Sequence, residues 1–341
     1  MFQLPWGDFF RSLDCSKSFL VLSPLSFGYY GVAVFFAVSG YCIHLSHAKA
    51  RNQSWGIFFN RRFFRIYPPY FIALLIFFFI WPIANFNFSD ERAWQLFSHL
   101  FLVHNLDART LFGINPAFWT IALEVQLYAI YPLLLLFAKR FGWLAALLLA
   151  AFSEISIQSI VAFSLISNAA LPPAALMYSP FAYWLSWSLG AYLADCHLNG
   201  RATFFSKTSI YPFLALAILC PIVKATYPFA FLAFAFTACI FLDKFLTRLK
   251  ELPESGTLAW ISKHFQKLGI LSYSFYLLHQ PFVNQTKSIF YSIFQGVHIH
   301  PYVIFGFSLL WYPVVFALSI AFFRFVEKPS MQVGKAILKS A

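Results

Sequence analysis

The chain has 341 residues, of which 60% are hydrophobic, 21% aromatic and only 11% charged, with a mean hydropathy of +0.70. A soluble domain carries about 25% charged residues, so this composition excludes a chain that covers itself with a water-compatible surface. The formal net charge of +12 would suggest nucleic acid in a soluble protein. Here the basic residues lie in short loops beside apolar spans, so topology accounts for them and no nucleic-acid partner is expected.

The apolar residues come in runs of about 20 rather than in alternation, which favours helices over a β-barrel. The expectation is an all-α, polytopic helical bundle of about nine spans. They fall near 28–45, 68–85, 117–138, 141–163, 180–197, 209–223, 228–242, 269–289 and 302–323. Segment 94–104 reads as interfacial. Residues 1–27 read as a non-spanning extracytoplasmic tail, 28–330 as the transmembrane domain and 331–341 as a cytoplasmic tail. Lys and Arg divide 18 against 6 between alternate sides of these spans. The positive-inside rule then puts the richer side in the cytoplasm, with the N-terminus outside and the C-terminus inside. The five cysteines show no CxxC pair, and no His pair has a zinc spacing, so no metal is expected.

In chain order, the first span ends in "FFAVSGYCI" followed by His44 and His47, near the headgroups. Next comes "FFNRRFFRIYPPYF", with Arg61, Arg62 and Arg65 before Pro68 and Pro69. Charge alone would anchor topology, and the long side chains would snorkel to lipid. All three are arginine, however, which suits bidentate phosphate binding, and Arg62 and Arg65 are one helical turn apart. His99 and His104 belong to the interfacial segment.

In "NPAFWTIALEVQLYAIYPLLLLFA", Glu124 is the sole carboxylate of an apolar span. An acidic group at mid-bilayer costs roughly 2.5–3.5 kcal/mol, so it faces a protein interior or a cavity. Tyr128 shares its face and Gln126 is close by; the structural alternative is a packing hydrogen bond. Pro132 is expected to kink this helix. In "LGILSYSFYLLHQPFV", Tyr273, Tyr276 and His279 form a polar stripe, His279 being a candidate acid or base, and Pro281 reads as a break. Glu327 in "FFRFVEKPSM" reads as a helix-terminal structural residue.

These stretches, together with "GVAVFFAVSGYCI", occur in family order over residues 28 to 330 and resemble the acyltransferase 3 family of bacterial inner-membrane proteins. That family includes O-antigen and exopolysaccharide O-acetylases. The resemblance implies transfer of an acyl group from acetyl-CoA or another acyl-CoA to a hydroxyl of a glycan or lipid-linked sugar, in a multi-pass protein of the bacterial inner (plasma) membrane in contact with its lipids. It places donor binding on Arg61, Arg62 and Arg65, and catalysis on Glu124, Tyr276 and His279. The family opens with a further span carrying an Arg and a His taken as the catalytic base. No such pair precedes residue 28, and the first histidine is His44, so that helix is expected to be missing. Glu124 should then be an under-partnered carboxylate in an open groove, near Tyr128 and within reach of the helix bearing Tyr276 and His279. A non-catalytic relative and a flippase of a lipid-linked glycan are the alternative readings.

Overall fold

The computed structural model describes residues 28–80, 90–223, 225–249, 257–294 and 301–340, and no strand occurs among them. The expected tail 1–27 lies outside the described residues. The helices are α1 (Gly31–Ala48), α2 (Trp55–Leu75), α3 (Asp90–Leu100), α4 (Phe118–Ser167), α5 (Trp184–Leu198), α6 (Ile210–Leu219), α7 (Ala230–Leu249), α8 (Thr257–Ile293), α9 (Pro301–Ser308), α10 (Trp311–Phe322) and α11 (Lys328–Ser340). Among the described residues five stretches are long and apolar enough to cross a membrane: Gly28–Ala48, Trp55–Ile80, Phe118–Ser167, Tyr227–Leu249 and Gly306–Lys339.

The spans expected at 117–138 and 141–163 fall within the single stretch α4. Its 50 residues amount to about 75 Å of helix, more than twice the ~30 Å of a hydrocarbon core. Gly142 breaks it, with φ 84° and ψ 163°. The exposed Lys139 and Arg140 stand at that break. Residues 331–340, read from sequence as a tail, belong to α11, which packs on α2.

Pro68 and Pro69, expected to start a span, and Pro281, expected to break one, lie inside helices instead. Proline has no N–H for the carbonyl four residues back, so Pro68 frees the Phe64 carbonyl and Pro281 frees that of Leu277. Both carbonyls are claimed from elsewhere in the fold. Ser330 Oγ of α11 donates to Phe64 O, and Asn115 Nδ2 donates to Leu277 O at 3.0 Å. This is the condition under which a membrane helix carries proline.

The tightest packing joins α1 to α5. A Cβ built on Gly40 would lie 2.0 Å from the Trp187 carbonyl oxygen, and one on Gly190 would lie 1.9 Å from that of Ala37. The two glycines thus let the backbones touch, as small residues do between membrane helices. Glu154 of α4, fully buried, caps α5: its carboxylate accepts from Ser186 N at 2.9 Å and from Ser186 Oγ at 2.7 Å. Those are donors of the first helical turn, where an anion is favourable.

Residues 101–117, apart from one 3-10 turn at His104–Leu106, are irregular backbone held among the helices. Asn105 and Gln126 exchange side-chain amide bonds at 2.9 and 2.8 Å, and Gln126 Nε2 also donates to Leu102 O at 2.9 Å. Gln126 therefore anchors this segment rather than joining Glu124. Beneath it His99 and His104 stack in parallel, with ring centroids 3.9 Å apart, both fully buried. Burial pushes His99 down to about 4 from its usual 6.5, and burial followed by the neighbouring His99 pushes His104 well below its usual value. Each stays neutral in the fold and takes up a proton once exposed. Stability from this pair is therefore complete above about 6.5 and is lost as pH falls from there toward about 4. Melting in detergent at about pH 7 and about pH 4.5 should show a smaller drop for His99→Phe than for wild type; equal drops would refute the assignment.

Candidate active site

Glu124 lies on α4 two turns from its start and is 7% exposed. Its Oε1 accepts from Ser39 Oγ of α1 at 2.8 Å and from the Tyr128 hydroxyl one turn along its own helix. Trp187 Nε1 donates to the same Ser39 Oγ at 3.3 Å. The expectation of an under-partnered carboxylate is corrected in part: one oxygen has two donors, because α1 and α5 pack closely enough to bring Ser39 and Trp187 to it. Oε2 accepts no hydrogen bond among the described residues.

Four residues before Glu124, on the same face, Thr120 Oγ1 donates to Ala117 O at 3.0 Å and meets the Tyr276 hydroxyl at 2.6 Å. Thr120, one turn before Glu124, thus meets the helix that carries Tyr276. Tyr276 also stacks on Phe35, centroids 6.0 Å apart. His279 lies one turn beyond it. Its Nδ1 donates to the Tyr276 carbonyl at 2.9 Å and its ring stacks on Phe275. It meets no carboxylate among the described residues. Tyr273 turns to α2 and donates to Ile66 O at 2.8 Å.

The arginines divide their work along α2. Arg62 donates from Nη2 to Ser46 Oγ at 2.8 Å and lies over the Phe58 ring, while its Nε is buried without a partner. Arg61 and Arg62 border a small cleft with Ser46, His47, Asn52 and Ser54. Arg65 is exposed and makes no hydrogen bond or ion pair among the described residues. Both Arg62 and Arg65 exert their charge on Glu124, and Arg65 also on Glu327. Glu327 is 1% exposed, in the turn between α10 and α11, and accepts from Ser274 Oγ at 2.5 Å. Arg62, Arg65, Glu124, Tyr276 and Glu327, far apart in sequence, are brought into one region of the bundle.

The family model described as an acyltransferase domain matches residues 6–324. The chain belongs to the acyltransferase 3 family. It is 23% identical over 355 aligned residues to the peptidoglycan O-acetyltransferase OatA of Listeria monocytogenes serovar 1/2a, an alignment that covers 95% of this chain and 56% of that protein. The chain thus spans little more than half the length of this relative. No solved structure matches it.

Sequence reasoning passed over Ser39, Thr120, Ser46, Trp187 and Ser274. Thr120 was legible as the residue one turn before Glu124 on its face. Ser39 and Ser274 are single hydroxyls in apolar helices, a pattern that mostly marks packing. Their roles come from the elements they meet. Among the histidines set aside, His44 Nδ1 meets the Tyr131 hydroxyl at 3.0 Å and its Nε2 lies 3.4 Å from Asp195. His197 bridges Asp243 at 2.7 Å and the Tyr41 hydroxyl at 3.1 Å.

Proposed function

We propose that the chain is a membrane O-acyltransferase that moves an acyl group, acetyl in the simplest case, from acyl-CoA to a hydroxyl of a cell-surface glycan. Its place would be the bacterial plasma membrane, with the end bearing Arg61 and Arg62 facing the cytoplasm. The observation that carries this reading is the region where two incompletely partnered arginines act on one buried carboxylate. The buried, unpaired Nε of Arg62 and the unpaired guanidinium of exposed Arg65 fit an anionic ligand, and guanidinium forks suit phosphate. The name of the Listeria relative supports acetyl as the group and a glycan as the acceptor.

Acyl-CoA, when bound, supplies the acyl group as a thioester. Arg61, Arg62 and Arg65 would hold its phosphates. Glu124, with Oε2 clear of donors, would take the proton of the acceptor hydroxyl as its oxygen bonds the acyl carbon, and would return it to the CoA thiolate released when the thioester C–S bond breaks. The Tyr276 hydroxyl, one turn away, would turn from Thr120 and donate to the oxyanion that develops. His279, one turn further, is a second proton site on the same stripe.

Transfer of radiolabelled acetyl from acetyl-CoA in membranes holding the full chain tests the reading. Arg62→Lys and Arg65→Lys keep the charge and lose the fork, and should each raise the donor KM about tenfold with little change in expression. An unchanged donor KM in both variants would refute the phosphate clamp. Absence of transfer by the wild type would refute the reading itself.

A further inference from the structure

Far from the arginines, the start of α1 borders a second cavity. Tyr29, Tyr30, Gln158, Tyr178, Tyr183 and Tyr227 line it with a few apolar residues, and no lining side chain is charged. Three separate parts of the chain supply the phenols: Tyr29 and Tyr30 at the start of α1, Tyr178 and Tyr183 ahead of α5, and Tyr227 ahead of α7. Gln158 is buried and spends one amide hydrogen on Ala182 O at 3.1 Å. Its Oε1 has no partner among the described residues. The cavity volume is about 120 Å³, room for roughly ten waters and the scale of one hexose rather than an oligosaccharide.

Three features select the ligand. With no charge on the walls, the phosphates of an acyl-CoA or a lipid headgroup find nothing to neutralise them. A hydrocarbon chain would leave the Gln158 oxygen without a partner, a cost that buried polar groups avoid. A pyranose offers apolar C–H faces to the rings and hydroxyls to Gln158 and the phenols, matching a site with apolar walls and a few convergent polar groups. Resting on the acyltransferase reading above, we propose that this pocket is an acceptor subsite that holds one uncharged sugar ring of the glycan.

Its position agrees. From Tyr30 to Ser46, beside the arginine cleft, is about 24 Å along α1, most of a bilayer, and Ser39 with Glu124 stands between. Tyr29 stacks on Trp119 at 6.1 Å, and Trp119 precedes Thr120 on α4. Phe36 meets Tyr183 at 5.7 Å, and its neighbour Phe35 stacks on Tyr276. One aromatic layer separates the pocket from the Thr120–Tyr276 pair, so the ring held here is a neighbour of the reacting sugar.

The test uses the full chain in nanodiscs with chitotriose, a neutral trimer of N-acetylglucosamine, and no acyl donor. Wild type should bind it, and Leu171→Trp, which fills the pocket from its exposed rim, should weaken binding about tenfold. In the transfer assay the same variant should raise the acceptor KM about tenfold, leave kcat within about threefold and leave the donor KM unchanged. No binding by wild type, or equal binding by a folded Leu171→Trp, would overturn the subsite. So would quenching of tyrosine emission by a bromine-labelled phospholipid that chitotriose does not relieve. Binding intact in a chain that transfers no acetyl counts against the acyltransferase reading alone. Transfer with a normal acceptor KM in Leu171→Trp counts against the subsite alone.

Discussion

Glu124→Gln is expected to lower acetyl transfer by about 10²- to 10⁴-fold, the range for losing a positioned acid or base. The substitution keeps the shape of the side chain. The amide oxygen can still accept from Ser39 Oγ and the Tyr128 hydroxyl, which hold Oε1 in the native site, so the bundle should fold and melt as wild type. What is lost is the negative charge on which Arg62 and Arg65 act and the capacity of Oε2 to take a proton. Glu124→Asp keeps the charge but draws it back from both donors, and should recover part of the rate. Wild-type transfer by a folded Glu124→Gln would reduce the residue to a packing hydrogen bond between α1 and α4. A large loss of folded protein instead would make it structural.

The second large effect is on folding. Gly40→Ala should strongly reduce the yield and melting temperature of the protein in detergent, because the new methyl has nowhere to go. Its Cβ would lie 2.0 Å from the carbonyl oxygen of Trp187 and 3.2 Å from the amide nitrogen of Ala191, both backbone atoms. A side chain could turn aside, but here the two helices must separate. Overpacking costs about 1–3 kcal/mol where neighbours can shift, and more where they cannot. Separation would also draw Trp187 from Ser39 and Ser39 from Glu124, so residual folded protein should transfer slowly. Gly190→Ala, which meets the Ala37 carbonyl oxygen at 1.9 Å, should behave alike. Gly269→Ala is the control: nothing lies within 4 Å of its Cβ, and a helical Gly→Ala change is favourable by about 1 kcal/mol. Equal melting temperatures for Gly40→Ala and Gly269→Ala would show that the α1–α5 contact is looser than described.

The sequence by itself determined the class of the protein and the residues worth watching. Composition demands a membrane protein and run length demands helices, because only helices and closed barrels satisfy a backbone in lipid and these apolar runs do not alternate. An arginine triplet and a carboxylate in an apolar span stand out for the same reason: placing charge there is costly unless something uses it. The helical period makes Tyr128 a face-mate of Glu124, and makes Tyr273, Tyr276 and His279 a stripe, since such patterns are local.

Tertiary structure decided what each of these residues meets. Pro68 and Pro281 read as boundaries, yet both lie within helices, because Ser330 and Asn115, more than 150 residues away in the chain, supply the donors that the prolines lack. Glu154 drew no notice as a cap, because the helix end it serves begins 30 residues later, at Trp184. Ser39 was one hydroxyl among apolar neighbours until Gly40 and Gly190 brought α5 against α1 and set Trp187 beside it. The tyrosine cavity was invisible for the same reason: its phenols come from Tyr29, Tyr30, Tyr178, Tyr183 and Tyr227, and no local pattern joins them. Periodicity reports which face of a helix a residue occupies. Which other face it meets depends on contacts between distant parts of the chain, and those form only when the bundle packs.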